Sequence, residues 1–301
     1  MSATAQRRIE VRPGRCLHVE LAGPRERRGD AVLILHGFTG SAETMRGVCE
    51  GLGGDRRRIL VDLVGHGRSD ATEAPDDYRM ERCLEDLCCV LDALEERRVH
   101  LVGYSMGARV GLALAACHPE RIRSAVLVGA RAGVEDPEER RARVQQDERL
   151  AGRILDEGIE WFVDHWMSLP LFASQQRLGP RALARARGER LRNRAHGLSL
   201  SLRGMGAGAQ PPLFEQLDSV SVPVLLVVGE EDSRFLEVAR DLMPRLPRAH
   251  LQIIPEAGHA AHLENPHAFD AVARDFLREV EAATGEPMST IDWKTVRDYR
   301  D

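Results

Sequence analysis

A serine, an aspartate and a histidine, each placed just after an apolar run, are the residues of this 301-residue chain best suited to chemistry. Ser105 is the middle of Gly-Tyr-Ser-Met-Gly at 103–107, between the apolar run 99–102 and a small-residue helical pattern at 109–116. A strand, a sharp turn and a helix in that order force the serine into strained backbone angles, and glycines two residues to either side let strand and helix approach without a side-chain clash. The amide of Met106 opens the helix, where unpaired N–H groups favour negative charge, so it can donate to an oxyanion beside Ser105. A serine hydroxyl is a poor base or nucleophile at its normal pKa; a histidine must take its proton and a carboxylate must hold that histidine's tautomer. Asp232 follows the run ending at Gly229, and His259 follows the run ending at Ile254. Both lie after Ser105 in the order Ser, Asp, His, at the carboxyl ends of strands, where an open parallel sheet places its functional groups. Glu230 and Glu231 are equally acidic, but Asp232 lies one step further into the loop, where its side chain can turn over the sheet. His262 and His267 compete with His259, yet only His259 directly follows a glycine in the loop leaving the strand. His262 is expected to face solvent or cap the next helix.

The elements that must position these groups are legible in the hydrophobic pattern. Residues 8–21 alternate loosely and predict one or two edge strands. Residues 31–35 and 59–63 are continuous apolar runs, the pattern of strands buried on both faces of a parallel sheet. The first runs into His-Gly-Phe-Thr-Gly-Ser at 36–41, a glycine-rich loop that can present the amide of Phe38 as a second oxyanion donor; His36 reads as a structural histidine bonding local backbone. Residues 78–94 have helical periodicity, with Met80, Cys83, Leu84, Leu87, Val90, Leu91 and Leu94 on one side. Further strands are predicted at 124–130, 222–229 and 250–254, and helices at 236–246 and 266–280. Strands alternating with helices at this spacing predict an α/β fold, a mostly parallel sheet with helices on both faces. The rhythm breaks between Gly133 and Pro212, which are joined by a helical, arginine-rich stretch. We therefore expect a core at 1–132 and 213–283, a helical cap at 133–212 inserted in it, and a flexible tail at 284–301.

Composition narrows the function classes. A hydrophobic content of 43% over this length suffices for one large core. The 42 basic and 47 acidic residues are interspersed, giving a net charge of -5 and no sustained basic face for nucleic acid. Lys294 is the single lysine, so arginine abundance is a compositional habit. The six cysteines, Cys16, Cys49, Cys83, Cys88, Cys89 and Cys117, form no Cys-x-x-Cys pair and have no histidine at metal-ligand spacing; most are expected to be small core residues. No metal site is expected. The amino terminus lacks the apolar stretch of a signal peptide, and no apolar run is long enough to cross a bilayer. A cytoplasmic protein without membrane insertion, a monomer or small homo-oligomer, is expected.

These segments resemble the α/β-hydrolase superfamily and, within it, the 2-succinyl-6-hydroxy-2,4-cyclohexadiene-1-carboxylate synthases, cofactor-free lyases of menaquinone biosynthesis. The resemblance spans about residues 8–280. Its widespread part is Leu-His-Gly-Phe-Thr-Gly-Ser at 35–41, Val-Asp-Leu-Val-Gly-His-Gly-Arg-Ser at 61–69 and the serine segment at 101–109. The more specific part is Arg109 four residues after Ser105, Leu-Phe-Ala-Ser at 171–174 and Ser-Leu-Arg-Gly-Met-Gly at 201–206, with Ala108 where many relatives have a second glycine. The resemblance implies a small polyanionic substrate from which the histidine-activated serine removes a ring proton so that pyruvate is eliminated. It implies that Arg109, one helical turn after Ser105, clamps a substrate carboxylate. By the same resemblance Arg143 and Arg190 join it, with Arg192 a rival for the last, while Tyr104, Trp166 and Phe172 contact the substrate. A serine esterase or carbon–carbon hydrolase of the same fold is the alternative. The segment Met-Ser-Thr-Ile-Asp-Trp at 288–293 resembles the start of 1,4-dihydroxy-2-naphthoyl-CoA synthases.

Overall fold

A computed structural model describes residues 5–24, 29–54 and 56–283; the tail expected at 284–301 lies outside them. The strands are β1 (Ala5–Arg12), β2 (Arg15–Ala22), β3 (Ala31–Leu35), β4 (Arg58–Val61), β5 (Val99–Tyr104), β6 (Ile122–Val128), β7 (Val224–Gly229) and β8 (Ala249–Ile254). They form one sheet in the order β1-β2-β4-β3-β5-β6-β7-β8. β3 to β8 run parallel, while β2 pairs antiparallel with both β1 and β4. The α-helices are α1 (Arg46–Leu52), α2 (Met80–Ala93), α3 (Met106–Cys117), α4 (Pro137–Met167), α5 (Gly179–Arg190), α6 (Ala195–Met205), α7 (Ser233–Leu242), α8 (Ala261–Glu264) and α9 (Pro266–Ala282).

The apolar runs are continuous because both faces of each central strand are covered. Leu33 and Leu35 of β3, Ile59 and Val61 of β4, Leu101 of β5 and Leu127 of β6 pack on one face with α2, α3 and α7. Their neighbours Val32, Ile34, Leu60, Val102 and Val126 pack on the other with α1 and α9, around Phe269 and Phe276. Period-two alternation thus survives as a split between two apolar cores. Between β6 and β7 the described chain holds α4, α5 and α6 and no strand. Ala151, Ile154, Phe162, Val163, Leu198 and Leu202 give this segment its own small core, against which Phe38 and Trp166 pack from the cavity side. Asp136 starts α4 by accepting from the amides of Glu138 and Glu139, and the helix bends at Gly158, φ 84°.

Several boundaries differ from expectation for local reasons. The strand expected at 59–63 ends at Val61, because Asp62 turns its carboxylate to the amides of Ala42 and Arg68 and the Leu63 amide donates to His36 Nε2. The helix expected at 236–246 starts at Ser233, capped by Asp232, and tightens into a 3-10 turn at Met243–Arg245, where Pro244 removes a donor. α1 was not predicted; its sequence carries two glycines in seven residues and offers no amphipathic run. The cysteine expectation fails in part: Cys49 and Cys83 are buried, but Cys89 and Cys117 are exposed.

Candidate active site

Ser105 is held in a left-handed conformation, φ 51° and ψ -105°, between the end of β5 and the start of α3. Such angles cost a non-glycine residue about 1–3 kcal/mol and persist only where surrounding bonds over-determine them. Here the Ser105 amide donates to Val128 O at 2.8 Å, tying the turn to the end of β6, and Ser105 O accepts from the Arg109 amide at 3.0 Å. A Cβ on Gly103 would sit 2.4 Å from Gly107 O, and one on Gly107 would sit 2.4 Å from Leu35 O. The two flanking glycines are therefore required by backbone contact between β5, α3 and β3.

The Ser105 hydroxyl donates to His259 Nε2 at 3.0 Å, and His259 Nδ1–H donates to Asp232 Oδ2 at 2.7 Å. Asp232 is the N-cap of α7, and its other oxygen accepts from the Phe235 amide at 3.3 Å. The cap aims the carboxylate: one oxygen closes the helix and the other is left for the imidazole. Glu230 and Glu231 are occupied elsewhere, Glu230 by the Glu256 amide and Glu231 by the exposed Arg177. His259 is 3% exposed, so its two hydrogen bonds lie away from bulk water, where they orient the ring most strongly. His36 is buried, with Nδ1–H donating to Gly37 O at 2.8 Å and Nε2 accepting from Leu63 at 3.0 Å. It fixes the loop that carries Phe38.

The hydroxyl opens into a cavity lined by Phe38, Tyr104, Met106, Arg109, Arg143, Trp166, Phe172 and His259, all expected at the site, and also by Gly129, Arg131, Leu171, Ser201, Met205, Arg234 and Phe235. Met106 is the first residue of α3, so its amide has no partner within the helix. The aromatic side chains form one wall: Phe38 meets Trp166 edge-on at 5.2 Å, Trp166 meets Phe172 at 5.7 Å, and Phe235 lies 4.5 Å from the His259 ring. Arg109 is the most buried of the arginines that line the cavity, 9% exposed. Its Nη1 donates to a neutral amide oxygen, Gln210 Oε1, at 3.0 Å. Burial, reinforced by Arg143 and Arg131, lowers its pKa to about 10, so it stays protonated at neutral pH. Arg143 is half-buried and its Nε donates to Asp147 at 2.8 Å.

A family model described as "alpha/beta hydrolase fold" matches residues 30–266. The chain belongs to the α/β-hydrolase fold family. It is 41% identical over 251 residues, 83% of this chain and 91% of the other, to the putative 2-succinyl-6-hydroxy-2,4-cyclohexadiene-1-carboxylate synthase of Bacillus subtilis. It is 31% identical over 250 residues to the synthase of that name from Serratia proteamaculans, covering 82% of this chain and 92% of that one. Among solved structures it resembles MenH from S. aureus, with a TM-score of 0.83 and 28% identity over 87% of this chain and 98% of that one.

Within this α/β-hydrolase one arginine expected at the site lies outside the cavity lining, and some lining residues were not anticipated. Arg190 is not among the described residues that line the cavity; its Nη1 donates to Ala186 O, and burial lowers its pKa. It lies close enough to Tyr104 to interact electrostatically with the phenol. Arg192 is exposed and paired with Glu43. Arg131, Arg234 and Phe235 were missed, although Arg131 lies three residues past β6 and Arg234 two residues past Asp232. Position at the carboxyl ends of strands was the available signal. Among the described residues no His, Cys, Asp and Glu group could hold a metal ion, and no helix is long and apolar enough to cross a membrane.

His262 corrects an expectation. Rather than facing solvent it is 8% exposed, with its ring 4.5 Å from Tyr104 and 6.0 Å from Phe269. Burial, then the neighbouring His259, drives its pKa down to about 3. Burial likewise takes His66 to about 3 and His100 to about 4. Unfolded histidine titrates near 6.5, so between about pH 6.5 and 3 the unfolded chain binds more protons at these sites, and stability falls as pH falls. We expect the urea midpoint to drop steadily from pH 7 to pH 4, and His262→Phe to flatten that slope. An unchanged slope in the variant would assign the acid limb to other groups.

Proposed function

We propose that this chain eliminates pyruvate from 2-succinyl-5-enolpyruvyl-6-hydroxy-3-cyclohexene-1-carboxylate to give 2-succinyl-6-hydroxy-2,4-cyclohexadiene-1-carboxylate, with no cofactor. The observation that carries the reading is the juxtaposition of a fully hydrogen-bonded Ser105–His259–Asp232 set with Arg109, a buried cation that donates to the neutral side chain of Gln210. A buried unpaired guanidinium is costly, and a substrate carboxylate relieves that cost. In the reaction His259 Nε2 takes the Ser105 proton, and the serine oxygen removes the proton from the ring carbon bearing the succinyl ketone. Charge moves to the ketone oxygen, where the amides of Phe38 and Met106 hold it. Its return forms the 2,3 double bond, shifts the 3,4 double bond to 4,5 and breaks the bond to the enolpyruvyl oxygen. The departing enolate takes the proton from His259 and becomes pyruvate. Trp166 and Phe172 wall the ring, and α4 to α6 serve as a cap over it. A cytoplasmic enzyme of small size accords with this reading.

Arg109 tests it. A lost charge-assisted contact in a desolvated site costs about 2–5 kcal/mol. Arg109→Ala should therefore lower pyruvate release about a hundredfold, and Arg109→Lys should recover only part, since a point charge cannot reproduce the guanidinium fork. Hydrolysis of a small neutral ester, which needs the triad but no carboxylate clamp, should change little. Parallel loss of both activities would make Arg109 a support for α3. Loss of neither would favour an esterase.

A further inference from the structure

The cavity holds more positive charge than Arg109 accounts for, and the excess sits at its outer end. Arg131 and Arg234 line both the inner cavity and the wider vestibule outside it, which also takes in Glu139, Arg143 and Asp147. Elsewhere in this arginine-rich chain guanidinium groups meet carboxylates: Arg153 with Glu157, Arg185 with Glu189, Arg187 with Asp164 and Arg203 with Glu148. Neither Arg131 nor Arg234 has an ion pair among the described residues. Arg131 is half-buried, and its Nε is buried without a hydrogen-bond partner. Two carboxylates act on Arg131 from nearby, Glu139 and Asp147, and Asp147 is already bonded to Arg143. Burial is the larger cost to its charge, and repulsion from Arg234 and Arg143 adds to it. An arrangement that gathers like charges at a mouth and leaves them unpaired stores energy that an incoming anion releases.

We propose that Arg131 and Arg234 form a second carboxylate subsite, distinct from Arg109, which takes the terminal carboxylate of the succinyl arm. The assignment of the arm rests on the function proposed above. The ring carboxylate is fixed to the ring beside Ser105 and falls to Arg109 at the cavity floor. The succinyl carboxylate is carried on a flexible chain and reaches the mouth, which is lined by Arg131 from the loop after β6 and Arg234 from the first turn of α7.

The test uses two stable aromatic ligands, 2-succinylbenzoate and 2-butanoylbenzoate, which differ only in that the second has a methyl group where the arm carboxylate was. By calorimetry the wild type should bind the diacid about tenfold or more tightly than the monoacid, the value of one charge-assisted contact. In Arg131→Gln/Arg234→Gln the difference should vanish, with monoacid affinity unchanged. Thermal midpoints should stay level or rise, because like charges have been removed. Arg234→Gln alone, at an exposed position, should already narrow the difference. A wild type that does not discriminate, or a difference that survives in these variants, overturns the subsite. Pyruvate release by the wild type is measured separately. If it is absent while the discrimination follows Arg131 and Arg234, the reaction is wrong and the anion subsite stands; if it is present without discrimination, the subsite alone is wrong.

Discussion

Ser105→Ala is expected to lower pyruvate release by a factor on the order of 10^4, the scale on which a triad loses function when its reacting member is removed. The hydroxyl opens into the cavity beside the aromatic wall, and His259 Nε2 is already bonded to it at 3.0 Å. Without that oxygen the imidazole stands one atom too far back to reach a ring proton. His259→Ala should fall as far, and the double variant no further, because the two act as one unit. Folding is expected to survive. Alanine has the same Cβ as serine, so the strain at φ 51° is unchanged, and the anchoring amide bond to Val128 O is backbone. Single-turnover pyruvate release with urea unfolding on the same samples checks both statements. A near-wild-type rate in folded Ser105→Ala would sink the mechanism.

The sheet was legible because burial on both faces leaves a mark that composition cannot imitate. The runs at 31–35 and 99–102 name β3 and β5 almost to the residue, since every position in them is buried. Asp232 was separable from Glu230 and Glu231 by its place one step further into the loop, and the structure adds what the sequence reading did not use, that its carboxylate caps α7. What the pattern did not carry was direction. His262 is one helical turn past His259, and nothing in Gly-His-Ala-Ala-His at 258–262 says that its ring folds back under Tyr104. Arg190 and Arg131 are alike in sequence, each an arginine near a helix or strand end. One donates to its own helix while the other lines the cavity. Which face of α5 turns inward depends on how that helix packs on its neighbours, and an arginine-rich, weakly amphipathic sequence sets that orientation poorly. Such residues are resolved by tertiary contacts alone.

Asp232→Asn is expected to cost nearly as much as loss of the serine, about 10^4-fold in turnover, through a proton in the wrong place. In the native arrangement one carboxylate oxygen accepts the Phe235 amide as the cap of α7 and the other accepts His259 Nδ1–H. Asparagine is as good a cap as aspartate, so its carbonyl oxygen keeps the bond to Phe235 and its NH2 group is turned to the imidazole. That group donates. His259 Nδ1 must then accept, the ring proton moves to Nε2, and Nε2 donates to the Ser105 oxygen instead of taking its proton. Stability should change little because the cap is preserved. Asp232→Ala should behave differently on both counts, losing about 1 kcal/mol of cap energy while leaving the imidazole free to adopt either tautomer. The amide variant should therefore be the more stable protein and the slower enzyme. Nitrogen-15 spectra of the His259 ring, with urea midpoints and pyruvate release for both variants, read the three quantities independently. An amide variant that outpaces the alanine variant, or that keeps the proton on Nδ1, would mean that Asp232 acts by its charge and not by fixing the tautomer.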